Sequence, residues 1–295
     1  MISILVPIFN RPVIALAREL SAAGAEAGVP HEVIFIEDGS TEYLNQNKSV
    51  AKEQNTVYKV NSENIGRSAI RNLLADTAKY DLLLFLDCDV LLPDELFLKR
   101  YLNAIEGKDV VCGGHTYRKQ APASRKLHHA YGLKRECLPA VARREKPYNS
   151  FKTSSFLIRK DLFQKIRFDE TLTTYGHEDT LFGAELRKRK ANIAHIDNPV
   201  IHIALDTNEA FLEKSKQALR NALYLLHAGK LAPDEIRALE TYFRLKGSAG
   251  GRAVLEFLVP SEHYLREKLL QPHPRLRSFD FLKLAWLRDI EKETE

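Results

Sequence analysis

The stretch Leu82 to Asp89 reads Leu-Leu-Leu-Phe-Leu-Asp-Cys-Asp, an apolar run that ends abruptly in two carboxylates. Such a run has the character of a buried strand, in which side chains two residues apart project to the same side. Asp87 and Asp89 then point together while Cys88 faces away. At the carboxyl end of a parallel strand, where open α/β sheets bind ligands, this pair suits a divalent cation carrying a nucleoside diphosphate. A solvated Asp-rich turn after a strand accounts for the same residues without any chemistry, and the pair alone does not separate the two readings.

Three further stations stand at or just beyond expected strand ends: Val6-Pro7-Ile8-Phe9-Asn10, Glu37-Asp38-Gly39-Ser40 and Gly176-His177-Glu178-Asp179. The carboxyl ends of parallel strands share one edge, so the stations are expected to converge there. Asp38 can accept hydrogen bonds from a nucleobase or ribose, and the Gly-Ser that follows it also suits a plain tight turn. Arg67 and Arg71 lie one helical turn apart, where they can pair with Asp38 or reach phosphate, Arg67 serving equally well in a surface ion pair. Glu178 and Asp179 precede a helix, so either can act as a cap. As adjacent side chains they also diverge, which lets one bind acceptor hydroxyls while the other takes a proton. His202 alternates with Ile201 and Ile203 as the polar position of a half-buried strand. Beside paired acids, a neutral imidazole is also a sensible ligand for Mn²⁺.

The elements that must position these residues follow from patterning. The first 115 residues or so alternate apolar β-type runs with helical spacing, the rhythm of an α/β fold. Strands are expected at Ile2 to Val6, Val33 to Ile36, Thr56 to Val60, Leu82 to Leu86 and Val110 to Cys112. Asn10 is placed to cap, and Pro12 to open, a helix reaching about Ala27. Ile70, Leu73, Leu74 and Ala78 repeat at helical spacing, and Pro93 starts another helix. From about Gly114 to Asn149 the pattern breaks into basic, polar sequence, with a helix near Ser124 to Arg135. Phe151 to Ile158 then reads as a strand, Thr180 to Arg189 as a helix, and Ala191 to Ile203 as one or two strands broken at Asn198-Pro199. From Thr207 onward the pattern is helical. The expected architecture is a mostly parallel central sheet with helices on both faces, residues 1–205, followed by a C-terminal helical extension, residues 206–295. The last helix, Phe279 to Glu291, mixes apolar and basic residues, which suits docking on the first domain, contact with a membrane surface or contact with a partner.

Composition narrows the function classes. A chain of 295 residues with 44% hydrophobic and 28% charged residues can bury a sizeable core. No apolar run approaches the roughly 20 residues of a membrane span. Met-Ile-Ser-Ile-Leu-Val-Pro reads as a first strand rather than a signal peptide, so a cytoplasmic location is expected, with contact at the inner face of the membrane as an extension of it. Three cysteines without ligand spacing imply reduced thiols, neither a disulfide framework nor a zinc site. The net charge is +5, but Arg100 to Lys165 carries fifteen Lys/Arg against five Asp/Glu, a local excess of ten. That segment suits a diphosphate, an anionic acceptor or an acidic membrane surface, and equally a solvated basic face. Nucleic acid is not the expected partner. No Gly-x-Gly-x-x-Gly follows the first strand, which argues against a dehydrogenase, and no glycine-rich, lysine-bearing phosphate loop is present, which argues against a nucleotidyltransferase.

Taken in order, the four stations resemble those of the family 2 glycosyltransferases with the GT-A fold, including bacterial polysaccharide synthases that also carry Asp-Cys-Asp. The resemblance covers about residues 1–205. It implies an inverting, metal-dependent hexosyl- or N-acetylhexosaminyltransferase that moves a sugar from a nucleotide-sugar, UDP-linked by expectation, to a hydroxyl on a glycan or lipid-linked acceptor. Under it, Pro7 and Asp38 lie around the nucleobase, Arg71 helps fix the nucleotide, and Asp87 contacts ribose or metal. Asp89 and His202 hold Mn²⁺ or Mg²⁺, Asp179 is the general base, and Glu178 binds the acceptor. Glu37 departs from the family pattern, which often has Asp there, and His177 stands where Gly or Trp-Gly is frequent. A catalytically degenerate chain of the same fold, acting as a scaffold, is the competing expectation.

Overall fold

Ile2, Ile4, Val6 and Ile8 alternate with residues of the opposite face, and all four are fully buried with Leu16, Ala17, Leu20 and Ala23 of the helix Ile14–Ala27. That period of two against a helical stripe is the basic packing unit of the chain. The computed structural model describes residues 1–294. Its strands are β1 (Ile2–Ile8), β2 (His31–Asp38), β3 (Thr56–Asn61), β4 (Leu82–Leu86), β5 (Val90–Leu91), β6 (Val110–Cys112), β7 (His115–Tyr117), β8 (Ser155–Arg159), β9 (Ile193–His195) and β10 (Val200–His202).

Seven strands form the central sheet in the order β3-β2-β1-β4-β8-β6-β9. The pairs β3-β2, β2-β1, β1-β4 and β6-β9 are parallel, and β8 runs antiparallel to both neighbours. The second face of the sheet is aromatic: Phe85 stacks on Phe156 at 4.7 Å and on Phe163 at 5.1 Å, with Phe168 edge-on. A second, three-stranded sheet has the order β5-β10-β7. It was not foreseen, because strands of two or three residues carry too little alternation to stand out from loop sequence.

Local differences from the patterning have identifiable causes. The first helix begins at Ile14, not at Asn10, whose backbone is left-handed (φ 50°) and whose side chain accepts from the amides of Thr41 and Glu42. Asn10 thus ties the loop after β1 to the loop after β2. The strand expected from Phe151 starts only at Ser155, and Phe151 packs edge-on against Phe156. The helix expected near Ser124 to Arg135 is a 3₁₀ turn (Ala123–Arg125), a helix (Lys126–Tyr131) and a wide helical turn (Gly132–Glu136).

By its contacts the chain forms two units. The first comprises Met1–Arg118, Cys137–Thr173 and Glu185–Ala204, and holds both sheets. The second comprises Lys119–Glu136, Thr174–Ala184 and the chain from Leu205 onward. It is built from the helices Asn208–His227, Arg237–Lys246, Ala249–Leu258, Glu262–Leu269 and Leu276–Thr294. The last helix buries Leu282, Ala285, Trp286 and Leu287 among the helices of its own unit, and the Trp286 indole donates to Glu262. Among the described residues no helix is long and apolar enough to cross a membrane.

Candidate active site

The parallel register brings three of the four stations to one edge: Pro7 pairs with Ile36, Ile8 with Glu37, and Leu5 with Phe85 of the strand that ends at Leu86. Glu37 is fully buried at this edge, and its carboxylate accepts from the Ser40 hydroxyl, the Asn47 amide (2.8 Å) and the Tyr58 hydroxyl (2.9 Å). A buried charge with three donors is well compensated. Burial first, and then the hydrogen bond to Glu37 and its charge, push the Tyr58 phenol upward. Glu37 therefore braces the edge and leaves the outward position to Asp38.

Asp38 is 5% exposed, and its two carboxylate oxygens accept from the amides of Ile65 (2.8 Å) and Gly66 (3.2 Å). Burial raises its pKa, and those two amides work against the rise. Gly39 (φ 68°) lets the chain turn there, since a Cβ would lie 2.3 Å from the Asn64 nitrogen. The turn at Asn64 to Gly66 is thereby pinned to the sheet edge. Arg67 and Arg71 stand on the helix that follows, Gly66–Thr77.

Arg71 is not paired with Asp38 in the way the spacing allowed. Arg71 Nη2 instead lies 2.8 Å from Asp87 Oδ1, and its guanidinium lies over the Phe168 ring at 5.7 Å. Burial alone would raise Asp87, but Arg71, His202 and Arg67 outweigh it and hold the carboxyl below its usual range. Asp89 goes the other way: burial and the neighbouring charge of Asp87 raise it, against His202, Arg11 and Arg67. Cys88, between them, is pushed up to about 12 by burial and both acids.

His202 reaches the acids through the small sheet. β10 pairs antiparallel with β5, the strand directly after Asp-Cys-Asp, with His202 opposite Val90, and the Ile203 amide donates to the Asp89 carbonyl. The imidazole then lies 3.5 Å (Nδ1) from Asp89 Oδ1 and 3.7 Å (Nε2) from Asp87 Oδ2. Each of Asp87, Asp89 and His202 offers one ligand atom, and these atoms lie within 4.8 Å of one another. Two carboxylates and an imidazole, one acid kept ionised by Arg71, are a donor set that fits Mn²⁺ or Mg²⁺.

Residues that sequence reasoning passed over complete this corner. Tyr117 stacks on the His202 ring at 5.8 Å, and His115 meets it edge-on at 5.5 Å while contacting the Ser154 hydroxyl through Nδ1. Arg11 adds positive potential facing Asp89. Its place immediately after Asn10 was the available signal. Nothing in the polar run around His115 and Tyr117 marked them.

Glu178 and Asp179 belong to the second unit, in the first turn of the helix Glu178–Lys188. The turn before them is strongly constrained. Gly176 (φ 110°) packs so closely on Ala218 that a Cβ would lie 2.5 Å from the Ala218 Cβ, and His177 is also left-handed (φ 69°). The Asn221 amide donates to the carbonyls of Thr174, Tyr175 and Gly176. Asp179 accepts from the Thr180 amide at 2.7 Å.

Known proteins resemble this chain in sequence and in fold. A family model described as glycosyl transferase family 2 matches residues 3–167. Chondroitin synthase of Pasteurella multocida is 26% identical over 221 residues, 63% of this chain, and the match spans 23% of that protein's length. The mannosyltransferase PcManGT from Pyrobaculum calidifontis, solved with GDP-Man and Mn²⁺, is 14% identical with a TM-score of 0.62, covering 99% of this chain and 86% of its own. S. aureus TarS 1–349 in complex with UDP is 18% identical with a TM-score of 0.53, covering 99% and 90%. These two likenesses speak to the fold, and the family match covers more than half of the residues. The chain belongs to glycosyl transferase family 2, with the GT-A fold.

Proposed function

We propose that the chain transfers a hexosyl or N-acetylhexosaminyl group from a nucleotide-sugar, UDP-linked in the first instance, to a hydroxyl of a glycan or lipid-linked acceptor, with inversion at the anomeric carbon. The observation that carries this reading is the cluster of Asp87, Asp89 and His202 beside the carboxyl edge of the parallel strands. A bound Mn²⁺ or Mg²⁺ would stabilise the charge that builds on the departing diphosphate. Asp89 and His202 hold the cation, and Asp87, fixed by Arg71, contacts it or the ribose. Pro7 and Asp38 border the nucleobase, and Arg71 together with Arg11 and Arg67 offsets the charge of the phosphates. Asp179 accepts the proton of the acceptor hydroxyl as the new glycosidic bond forms and the bond to the phosphate oxygen breaks, and Glu178 orients the acceptor. Support for a nucleotide donor comes from the family match and from the ligands named for the two solved structures, while the UDP preference rests on the sequence resemblance.

The test is a panel of UDP- and GDP-sugars incubated with the protein, with Mn²⁺, Mg²⁺ or chelator, monitoring release of the nucleoside diphosphate and the anomeric configuration of any product. Metal-dependent turnover of one donor with inverted configuration supports the proposal. Metal-independent turnover, or retention, overturns the mechanism. Absence of turnover across the panel favours the scaffold reading.

A further inference from the structure

The second unit contains a concave site of about 740 Å³ lined by Lys134, Arg135, Arg275, Arg277, Ser278 and Phe281. Two separate segments supply its cations, the helical turn Gly132–Glu136 and the start of the helix Leu276–Thr294. Asp280 pairs with Arg135 at 2.8 Å, and among the described residues no carboxylate pairs with Lys134, Arg275 or Arg277. The concavity therefore carries about three uncompensated positive charges. Arg275 and Arg277 also flank the first residue of a 19-residue helix whose first turn has no acidic residue, where the helix dipole disfavours cations. Mutual repulsion and the dipole both oppose this gathering, and a bound anion would offset both.

We propose that this groove binds a phosphate ester. Guanidinium groups match phosphate oxygens bidentately, and a phosphate carries more charge to set against three cations than a single carboxylate does. Ser278 offers a hydroxyl on one wall, and Phe281, 48% exposed, offers an apolar surface for the esterified portion. All of these residues belong to the second unit, and none is among the Asp87, Asp89 and His202 cluster of the first. The same phosphate chemistry is offered by a soluble phosphate ester and by the headgroup of an anionic lipid.

The full-length protein is titrated in metal-free buffer with inorganic tripolyphosphate by calorimetry, and variants of the groove separate this site from the arginines of the first unit. In a parallel arm the protein is sedimented with phosphatidylcholine vesicles with and without phosphatidylglycerol. Saturable, salt-sensitive binding is expected in at least one arm: tripolyphosphate alone identifies a soluble ester, and anionic vesicles identify the headgroup. R275A/R277A should weaken it on the order of tenfold. K134Q/R277Q, which changes one residue in each segment, should do the same. R237A/R244A removes two exposed arginines elsewhere in the unit and should leave binding unchanged. No binding in either arm, unaltered binding in both groove variants, or an equal loss in the control variant overturns the proposal.

Discussion

Arg71 and Asp87 meet at 2.8 Å with the guanidinium only 3% exposed, so the first carboxylate of Asp-Cys-Asp is held by a buried cation from the helix Gly66–Thr77. Two consequences follow from one contact. Asp87 stays ionised next to Asp89, and its orientation is set before any ligand arrives. Arg71→Met removes the nearest cation and leaves the half-buried carboxylate with only the weaker compensation of His202 and Arg67. The expected loss is about 2 to 3 kcal/mol of stability, read from urea unfolding midpoints.

The bracing of Glu37 is testable in the same way. Asn47 donates to Glu37 and to the Arg11 carbonyl and accepts from the Val13 amide, so Asn47→Ala leaves several buried polar groups unmatched. A loss of about 2 kcal/mol is expected by chemical denaturation.

His195 gives the stability an acid-sensitive component. The ring is fully buried, with Nδ1 facing Arg143 at 3.0 Å and Nε2 facing the Pro147 carbonyl at 2.9 Å. Burial first, then Arg143 and Arg144, lower its pKa from 6.5 to about 4, against the Pro147 carbonyl. The unfolded chain therefore binds a proton that the folded chain refuses. This stabilising contribution is complete above about pH 6.5 and is lost as the pH falls toward about 4, amounting to roughly 3 kcal/mol. His195→Gln, measured by thermal unfolding across that window, should show a flatter pH dependence than the unaltered protein.

Asp179→Asn keeps the shape of the side chain and removes its basicity. Transfer should fall by about 10² to 10⁴, with nucleotide affinity little changed. Single-turnover transfer assays alongside calorimetry of nucleotide binding separate the two quantities, and near-normal transfer would remove Asp179 from the base role.

Legibility in the sequence varied with the length of the pattern. Long apolar runs such as Leu82 to Leu86, with helical repeats such as Ile70 to Leu74, marked the parallel half of the central sheet and its helices. The paired acids stood out because charge interrupts an apolar run so sharply. The pairing of Arg71 with Asp87 rather than Asp38 was not readable, since both acids lie within reach and only the amides of Ile65 and Gly66 occupying Asp38 decide it. The small sheet was hidden for a different reason. Its strands have two or three residues each, and what holds β10 to β5 and β7 is register between distant segments. His202 could be singled out by type and alternation, but its packing against Tyr117 and His115 depends on that register.

The account rests on a cation shared by the protein and the diphosphate, and calorimetric titration of UDP and GDP in the presence of Mn²⁺ or EDTA tests it most directly. For the unaltered protein, Mn²⁺ should strengthen binding of at least one nucleotide by about tenfold or more. Asp89→Asn and His202→Ala should abolish that gain while leaving the weak metal-free binding in place. Nucleotide binding that is equally strong in EDTA, or a Mn²⁺ effect that survives both substitutions, would contradict it.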